Sequence, residues 1–338
     1  MSNETMGVAV IGAGNMGKRH MKNSREIPEF EIRAVADVNA AAAEAQAKEF
    51  GAPFWTADFK EAIARPDVDV VFACVPSCFH ADVAVEAAQN KKHVFSEKPL
   101  ALTLEDGERM IQAAQEAGVV LAIDLQQRFQ KSFRDIRRIL ADEDVGTPRY
   151  YTIVETIDAR PNPAMHNRGL NGGPLMDQFC HWLDMWRFVL GSDPVRVFAR
   201  GATFATENPR LADLAEKDAL AVDTGSVTVE FASGDVGSYQ VCWGLPDKTS
   251  GVTCHVIVAP KAQIELELFS KITIHRGSEQ EVIENPAVNA HLEQLKHFAG
   301  CLRNGGRPST TGEDGLFALK TSLAIMKSIE TGEAVVIR

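Results

Sequence analysis

The chain has 338 residues, a formal net charge of -11 and 45% hydrophobic residues. This length predicts about two domains and allows a large core without disulfides or metal ions. The acidic balance argues against a nucleic-acid partner, because binding to a phosphate backbone needs a basic face. The sequence contains neither a signal peptide nor an apolar stretch of about 18 residues, so we expect a cytoplasmic protein with no membrane partner.

Short apolar runs alternate with helical patterns from Gly7 to about Asp124. Such alternation is typical of parallel strands covered by helices on both faces. We therefore predict an α/β protein that begins with a doubly wound Rossmann sheet and binds a dinucleotide over residues 1–125. The predicted strands are Val8–Ile11, Ile32–Ala36, Val68–Cys74, His93–Phe95 and Val119–Ile123, and the helices include Ala41–Phe50, Ala81–Asn90 and Leu104–Ala117.

The pattern changes after Asp124, where strands dominate and helices become few. A second, α+β domain with a large, mostly antiparallel sheet is predicted over residues 126–338. Ser233-Gly234-Asp235 reads as a hairpin turn between two of its strands. The predicted helices are Arg134–Leu140, Leu175–Leu190, Ala290–Arg303 and Gly312–Thr331, and the strands are Tyr150–Thr156, Val195–Arg200, Ser226–Ala232, Val236–Trp243, Thr253–Ala259 and Ala262–Leu268.

The first apolar run leads directly into a glycine-rich turn, Gly12-Ala-Gly14-Asn15-Met16-Gly17, and a helical pattern follows. Between a strand and a helix, this spacing is typical of a dinucleotide-binding turn. Gly12 permits the tight turn, Gly14 lets the backbone approach a pyrophosphate, and Gly17 lets the helix pack on the strand. We expect the phosphates at the helix N-terminus, in contact with the turn that contains Asn15 and Met16.

The second predicted strand ends at Asp37, 20 residues after Gly17. A carboxylate at this distance hydrogen-bonds the adenine ribose hydroxyls and would repel a 2′-phosphate. The next residues, Val38 and Asn39, offer no arginine to such a phosphate. The pattern predicts NAD as the cofactor in preference to NADP. The alternative is a glycine-rich turn without a nucleotide, with Asp37 only capping the next helix.

Lys98 follows a predicted strand in the segment Ser96-Glu97-Lys98-Pro99. Because ligands of parallel sheets bind at the carboxyl ends of the strands, Lys98 is expected where a nicotinamide and a substrate would meet. Its ammonium could donate to a substrate oxygen and stabilise developing negative charge. The alternative is an exposed lysine in a loop.

The predicted helix over 175–190 is apolar nearly all round and should be buried. Asp177, His181 and Asp184 nevertheless lie on one of its faces. Because buried polar groups need partners, three interpretations stay open. The face could be catalytic, with His181 as general base and Asp177 orienting it or the substrate. It could instead form a structural cluster with Arg187, or a metal site whose further ligands are not visible.

The six cysteines lie mostly in apolar runs, which is typical of small core residues in a reducing compartment. Cys74 and Cys78 are four positions apart, but no second cysteine pair at zinc-finger spacing follows them. We therefore predict no metal site.

With these residues in place, the chain resembles the Gfo/Idh/MocA family, which includes glucose-fructose oxidoreductase and inositol dehydrogenase. The resemblance extends over nearly the whole chain, and its motifs are specific only when taken together. They are Gly12–Gly17, Asp37, the segment from Pro76 and Ser77 to His80, Glu97-Lys98-Pro99, the pattern Gly172-Gly173, Asp177, His181, Asp184, and the stretch Thr311–Gly315.

This resemblance implies hydride transfer between a sugar or inositol-like polyol carbon and the nicotinamide. Lys98, Asp177 and His181 match the catalytic lysine, aspartate and histidine of the family. In the oxidation direction His181 would accept the hydroxyl proton, Lys98 would stabilise the developing carbonyl oxygen, and both would lie around one cleft. The further positions expected to contact the cofactor are Pro76, Ser77, His80, Glu97 and Arg128.

Two departures from the family pattern lie near the expected substrate. Pro174 replaces the third glycine of the usual run, and His166-Asn167-Arg168 stands where an aromatic residue is often found. His166 and Arg168, together with Tyr151 and Asp184, are the candidate substrate contacts, and the identity of the sugar stays open. Two rival functions also stay open: an NAD-dependent glycosidase with a transient oxidation, and a non-catalytic NAD-binding regulatory protein.

Two structural expectations complete the sequence-based interpretation. The Lys98–Pro99 bond should be cis, as the resemblance implies and as only an X–Pro bond readily allows. The chain should form a homo-oligomer, a dimer or a tetramer, through the sheet of the second domain. Tyr239, Val241 and Trp243 suggest apolar side chains on both faces of that sheet, and large exposed apolar patches are rare on monomers.

Overall fold

A computed structural model describes residues 5–141 and 145–337. The chain divides into two compact units, one formed by residues up to 126 with 289–316 and the other by 127–288 with residues from 317 onward. The stretch 289–316, which the sequence pattern places in the second domain, thus belongs to the first unit. The reason is local packing, since Leu295 and Phe298 lie in the core of the first sheet.

The first unit contains a six-stranded sheet in the order β3-β2-β1-β4-β5-β6, and all its pairings are parallel. The doubly wound sheet predicted from the sequence is therefore confirmed. The strand order reverses between β1 and β4, and ligands of such sheets bind at the carboxyl ends of the strands beside this reversal. The strands are β1 Met6–Ile11, β2 Phe30–Ala36, β3 Phe54–Thr56, β4 Val70–Ala73, β5 His93–Ser96 and β6 Leu121–Ile123.

The α-helices follow the apolar periodicity closely, except for short ones such as Phe59–Ile63. Their bounds are α1 Asn15–Ser24, α2 Ala40–Phe50, α3 Phe59–Ile63, α4 His80–Gln89, α5 Leu104–Ala117, α6 Lys131–Ala141, α7 Arg168–Asn171, α8 Pro174–Leu190, α9 Ala212–Glu216, α10 Ala290–Asn304 and α11 Gly312–Thr331.

The second unit contains a nine-stranded sheet in the order β14-β13-β12-β11-β7-β10-β9-β8-β15. Only the β7–β10 pairing is parallel, so the predicted mostly antiparallel sheet is confirmed, as is the hairpin turn between β9 and β10. The sequence pattern missed β13, β14 and β15. The strands are β7 Tyr150–Asp158, β8 Pro194–Ala202, β9 Thr224–Phe231, β10 Val236–Leu245, β11 Thr253–Ala259, β12 Ala262–Glu267, β13 Lys271–Arg276, β14 Glu279–Glu284 and β15 Val335–Val336.

The two faces of this second sheet differ in burial. Tyr239, Val241 and Trp243 all lie on the face that packs against α8, inside the core of the unit. The expectation that they show apolar character on both faces is therefore wrong, because positions two apart on a strand share a face. The opposite face carries exposed apolar side chains of its own, including Tyr150 and its cross-strand neighbour Val258, which are 56% and 50% exposed.

A buried ion pair joins the start of β7 to the hairpin between β9 and β10. Asp235 accepts from the backbone N–H of Arg149 at 2.7 Å and from its Nε and Nη2 at 2.9 and 2.8 Å. Burial acts to raise the pKa of the Asp235 carboxyl, but the hydrogen bonds from Arg149 and Ser233 lower it below its usual value. A bidentate arginine contact thus fixes β7, the parallel neighbour of β10, to the hairpin between β9 and β10.

Among residues 5–141 and 145–337, the helices are too short or too polar to cross a membrane.

Candidate functional site

The glycine-rich turn lies between β1 and α1, as predicted. Gly12 has a φ of +103°, and a Cβ there would lie 2.4 Å from the carbonyl oxygen of Cys74. A Cβ at Gly17 would lie 1.9 Å from the carbonyl oxygen of Gly12, so the close packing of α1 on β1 also needs glycine. Around Gly14, in contrast, no atom lies within 4 Å of the position of a Cβ. This open space is the room that a pyrophosphate needs to approach the backbone.

The N-terminus of α1 is suited to an anion. Gly14 is its N-cap residue and offers no side chain to the first N–H groups, and the first turn contains no acidic residue. The first N–H groups of a helix have no intrahelical partner and carry the positive end of the helix dipole. Asn15 and Met16, which supply these N–H groups, are therefore placed as the sequence predicts.

Asp37 lies at the carboxyl end of β2 and faces the glycine-rich turn. Its Oδ2 accepts from the backbone N–H of Ala13 at 2.8 Å, and its Oδ1 accepts from that of Asn39 at 2.8 Å. The residue that caps α2 is Asn39, whose side chain accepts from Ala42 N–H at 3.2 Å. The alternative in which Asp37 only caps the next helix is therefore wrong, and its carboxylate is held next to the turn.

Pro76, Ser77 and His80 follow β4, and both Ser77 and His80 are buried. The ring of His80 is 1% exposed, with Nδ1 at 2.9 Å from the carbonyl oxygen of Pro99 and Nε2 at 3.0 Å from that of Val75. Burial lowers the pKa of this imidazole. His80 thus joins the loop after β4 to the loop after β5, so its contribution to a cofactor site is to hold both loops in place.

Lys98 lies in the loop after β5 and is half-buried. The predicted cis bond between Lys98 and Pro99 is confirmed, and a second cis bond joins Thr147 to Pro148. The neighbouring Glu97 does not face outward as a cofactor contact would. It is buried, with Oε1 at 2.7 Å from Nε2 of His20, and Oε2 accepts from the backbone N–H of Lys98 at 3.3 Å.

Helix α8 is buried nearly all round and carries Asp177, His181 and Asp184 among its buried residues, as predicted. Asp184 accepts from Nε of Arg128 at 2.8 Å, and its other oxygen accepts from Nη2 of the same guanidinium. Arg187 instead donates to Asp193 at 2.6 Å. The arginine that pairs with Asp184 is therefore Arg128, a pairing that the helical pattern could not show because the two are 56 positions apart.

This ion pair bears on two predicted contacts in the second unit. The side chain of Arg128 is 9% exposed and that of Asp184 is 1% exposed. Their bidentate contact uses two of the five N–H groups of the guanidinium and both oxygens of the carboxylate. We infer that this contact supports α8, and the cofactor contact expected of Arg128 and the substrate contact expected of Asp184 stay predictions.

The remaining predicted substrate contacts differ in burial. Tyr151 is 1% exposed, stacks on Trp186 at 3.8 Å between ring centroids, and shares a 2.7 Å hydrogen bond with the hydroxyl of Tyr239. It therefore belongs to the core, contrary to the expected substrate contact. His166 is also buried, and burial lowers the pKa of its imidazole. Arg168 is exposed and donates to the backbone carbonyl of Asp218.

Residues 6–125 match the model of an oxidoreductase family with an NAD-binding Rossmann fold, and residues 133–264 match the GFO/IDH/MocA C-terminal domain. The chain belongs to the Gfo/Idh/MocA family of NAD-binding oxidoreductases. The resemblance inferred from the motifs is therefore confirmed, together with the enzyme class and NAD as the cofactor.

Relatives within the Gfo/Idh/MocA family align over almost the whole chain. The myo-inositol 2-dehydrogenase of Thermotoga maritima is 29% identical over 342 residues, with 98% of both chains covered. The NAD(+)-dependent scyllo-inositol 2-dehydrogenase of Bacillus subtilis is 29% identical, with 96% of this chain and 94% of that protein covered. The crystal structure of aldose-aldose oxidoreductase from Caulobacter crescentus, in complex with glycerol, is 26% identical with a TM-score of 0.84 and covers 98% of this chain and 100% of that one.

The sequence-based interpretation of this family member missed one polar group beside α8. Oε2 of Glu155 on β7 accepts from Nε2 of Gln178 at 2.7 Å and from Nε1 of Trp182 at 3.0 Å. Burial raises the pKa of the Glu155 carboxyl above its usual value, although these two hydrogen bonds act to lower it. A signal for this group was present in the sequence. Tyr151 and Ile153 point inward from β7, and alternation along the strand gives Glu155 the same direction.

Proposed function

We propose that this oxidoreductase oxidises a secondary hydroxyl of a cyclic polyol or sugar, with Lys98, Asp177 and His181 as its catalytic groups. The observation that carries the proposal is the burial of Asp177 and His181 one turn apart on α8, a helix whose other buried residues, Asp184 apart, are apolar. Burial of an acid and an imidazole costs free energy, and enzymes accept this cost where the two groups act on a substrate. The relatives named for myo-inositol and scyllo-inositol support a cyclic polyol as the substrate class.

Each of the three side chains has a proposed role. His181 accepts the proton of the hydroxyl that is oxidised, because an imidazole titrates near neutral pH. Asp177, one turn earlier on α8, orients His181 or a neighbouring substrate hydroxyl. Lys98, in the loop after β5, donates to the oxygen that becomes a carbonyl. That Lys98 and His181 act on the same oxygen stays a prediction.

The residues of the first unit fit NAD. The open space at Gly14, the uncapped N-terminus of α1 and the carboxylate of Asp37 suit a pyrophosphate and an adenine ribose. When bound, NAD supplies the acceptor for the hydride that leaves the substrate carbon. The protein supplies the geometry, because Gly12 and Gly17 allow close backbone packing, and His80 holds the loops that follow β4 and β5.

The experiment that tests this proposal is a substrate panel of inositols, aldoses and sugar acids, followed by the absorbance of NADH. We expect turnover of a cyclic polyol, and a roughly 10²- to 10⁴-fold lower kcat for His181→Ala, with little change in the Kd for NAD. Lys98→Met should lower kcat by a similar factor. Near-normal turnover by His181→Ala, with a loss of several kcal/mol of stability, would instead assign this histidine a structural role.

The same panel, extended by a set of glycosides whose hydrolysis is followed directly, separates the rival functions. An NAD-dependent glycosidase would hydrolyse a glycoside while retaining its NAD, with no net formation of NADH. A non-catalytic regulatory protein would bind NAD and turn over no member of the panel. Either result would remove the dehydrogenase proposal.

We also propose a homo-oligomer formed through the open face of the second sheet. Tyr150 and Val258 lie side by side on adjacent strands of that face and are half-exposed. Contiguous exposed apolar groups mark interaction surfaces. Val258→Lys should lower the mass measured by light scattering to that of the monomer, whereas Leu104→Lys, an exposed apolar position on α5 in the first unit, should not. An unchanged mass for Val258→Lys would exclude this face. The cytoplasmic location stays a prediction.

A further inference from the structure

Four ionisable side chains meet beneath the carboxyl ends of β5 and β6 in the first unit. His20 comes from α1, Glu97 follows β5, Asp124 follows β6, and His291 comes from α10. Nε2 of His20 lies 2.7 Å from Oε1 of Glu97 and 3.5 Å from Oδ2 of Asp124. Nδ1 of His291 lies 3.0 Å from the same oxygen of Asp124. One imidazole therefore connects the ends of two neighbouring strands.

Glu97 connects this cluster to the backbone of Lys98. Its Oε1 is held by His20, and its Oε2 accepts from the backbone N–H of Lys98 at 3.3 Å. With both oxygens occupied, the carboxylate has one orientation. The peptide of Lys98 is thus fixed by a contact that begins on α1, a helix separated from it by more than 70 positions in the chain.

His20 itself has little freedom to move. Its ring is 0% exposed and lies edge-on to Phe95 and Phe72, at 5.4 and 6.0 Å between ring centroids. A third ring, that of His291, lies at 5.8 Å. A side chain enclosed on three sides cannot change rotamer without displacing core residues, so the position of Glu97 depends on a rigid support.

A divalent cation is a weaker explanation for the same cluster. The ligand atoms of His20, Asp124 and His291 lie within 4.8 Å of one another. Tetrahedral bonds of about 2.0 Å to a metal would keep neighbouring ligand atoms about 3.3 Å apart. The 2.7 Å from His20 to Glu97 and the 3.0 Å from His291 to Asp124 are instead hydrogen-bond distances. The histidines and carboxylates of this cluster are therefore joined by hydrogen bonds and not by a metal ion.

The charges agree with this geometry. Burial acts to lower the pKa of His20, but the hydrogen bonds to Asp124 and Glu97 raise it to about 9. Burial and the nearby Asp124 raise the pKa of Glu97, and His20 and Lys98 lower it. Burial and the carboxylates of Glu97 and Asp124 raise the pKa of the Cys74 thiol, which follows the neighbouring strand β4. Nη1 of Arg19 lies 3.0 Å from Nε2 of His291. On balance the pKa of Glu97 stays above its usual value, and His20 is the group that most favours its ionised form.

We propose that His20 is a positioning residue for Lys98, because it holds Glu97, which in turn holds the peptide of Lys98 at the carboxyl end of β5. Loss of either partner should let the loop shift. In Glu97→Gln the negative charge next to the Lys98 ammonium is lost directly, and in His20→Gln the carboxylate loses the hydrogen bond that fixes it and the charge that favours its ionised form. This inference rests on the proposed catalytic role of Lys98.

The first test compares His20→Gln, Glu97→Gln and the double variant as full-length chains, with myo-inositol and NAD. We expect kcat to fall roughly 10- to 100-fold in each single variant, the size of effect that a small misplacement produces, while the KM for NAD stays within about twofold. The double variant should lose no more kcat than the worse single variant, since both act through one contact. Additive losses would contradict the proposal.

The matched control is His93→Gln at the other end of β5. Nδ1 of His93 accepts from the backbone N–H of Val120 at 3.0 Å, so this variant also removes an imidazole contact between strands β5 and β6. It should lose stability without losing kcat. Equal losses of kcat in His93→Gln and Glu97→Gln would show a general effect of loosening the strand.

The second test needs no substrate. Acetylation of Lys98 by acetic anhydride is followed across pH by mass spectrometry of the intact chain and its peptides. Loss of the neighbouring negative charge should lower the pH at which Lys98 becomes reactive in both His20→Gln and Glu97→Gln, and not in His93→Gln. Wild-type reactivity in Glu97→Gln, together with wild-type kcat, would overturn the proposal even if His20→Gln fails to fold.

The outcome for Lys98→Met separates the two proposals. If Lys98→Met keeps the wild-type kcat, the catalytic assignment of Lys98 is wrong. If Lys98→Met is inactive and Glu97→Gln is fully active with unchanged Lys98 reactivity, only the positioning role is wrong.

Discussion

In the second unit the buried acids Asp184 and Asp235 are each held by an arginine, whereas in the first unit Glu97 and Asp124 are held by histidine. A guanidinium is charged at every accessible pH and fits a carboxylate with two parallel hydrogen bonds. An imidazole loses its charge within a range that proteins reach, and it makes one contact per nitrogen. The charge of the arginine pairs is therefore fixed, whereas the charge of the histidine cluster next to Lys98 changes with pH.

The largest expected effect is on the arginine-held hairpin. Asp235→Ala leaves the guanidinium of Arg149 buried without its carboxylate, which should lower the free energy of unfolding by about 3–5 kcal/mol. Urea denaturation followed by circular dichroism measures this change. A loss below about 1 kcal/mol would mean that water replaces the carboxylate, and that this pair does not hold β7 to the hairpin.

The histidine cluster should give stability that depends on pH. The folded pKa of His20, about 9, lies above the ordinary value of 6.5, so its contribution is full below pH 6.5 and is lost as the pH rises to 9. Between these values the wild-type free energy of unfolding should fall by up to about 3 kcal/mol more than that of His20→Gln. Parallel pH curves for the two proteins would contradict the shift.

Asp235 gives the opposite pH dependence and so sharpens the comparison. Its folded pKa is lowered, so its contribution is present above the unfolded value of 3.8 and is lost only as the pH falls through the folded value. Asp235→Asn should therefore show no change in slope relative to wild type between pH 6.5 and 9, in the same urea titrations.

A smaller effect is expected at the Arg128–Asp184 pair. Arg128→Lys keeps the charge and loses the bidentate contact, which should cost about 1–2 kcal/mol of stability. The Kd for NAD, measured by calorimetry, should not change. A tenfold weaker binding of NAD without loss of stability would support the cofactor contact that the sequence predicted for Arg128.

The smallest effect is expected at an exposed pair. Arg196 and Glu230 pair across β8 and β9 on the open surface of the second sheet. Because water screens such contacts, Glu230→Gln should leave the Tm unchanged within error in a thermal scan. A fall comparable to that of Arg128→Lys would show that a partner also covers β8 and β9, at a distance from Tyr150 and Val258 in the strand order.

Sequence reasoning succeeded where the information is local. The glycine-rich turn needs small residues at Gly12 and Gly17 because backbone atoms come within 2.4 Å of the position of a Cβ. Amphipathic and apolar periodicity located α5 and α11 at their observed bounds. It missed the short strand β3 and the hairpin β13–β14, whose polar and apolar residues alternate over only a few positions.

The partners of the buried polar groups depend on contacts that no local pattern encodes. His20 could be seen only as a histidine on a helix, because the two acids that raise its pKa come from β-strand ends 77 and 104 positions away. Arg128 and Tyr151 were assigned to ligands because their chemistry allows it, and packing then assigned one to Asp184 and the other to the core. The sequence by itself determined the chemistry available in each segment, the fold class and the cofactor, since these rest on backbone sterics, periodicity and the placement of Asp37 after the glycine-rich turn. Only the tertiary structure decided which charges are paired, because burial leaves each charge only the neighbours that the packed strands and helices bring to it.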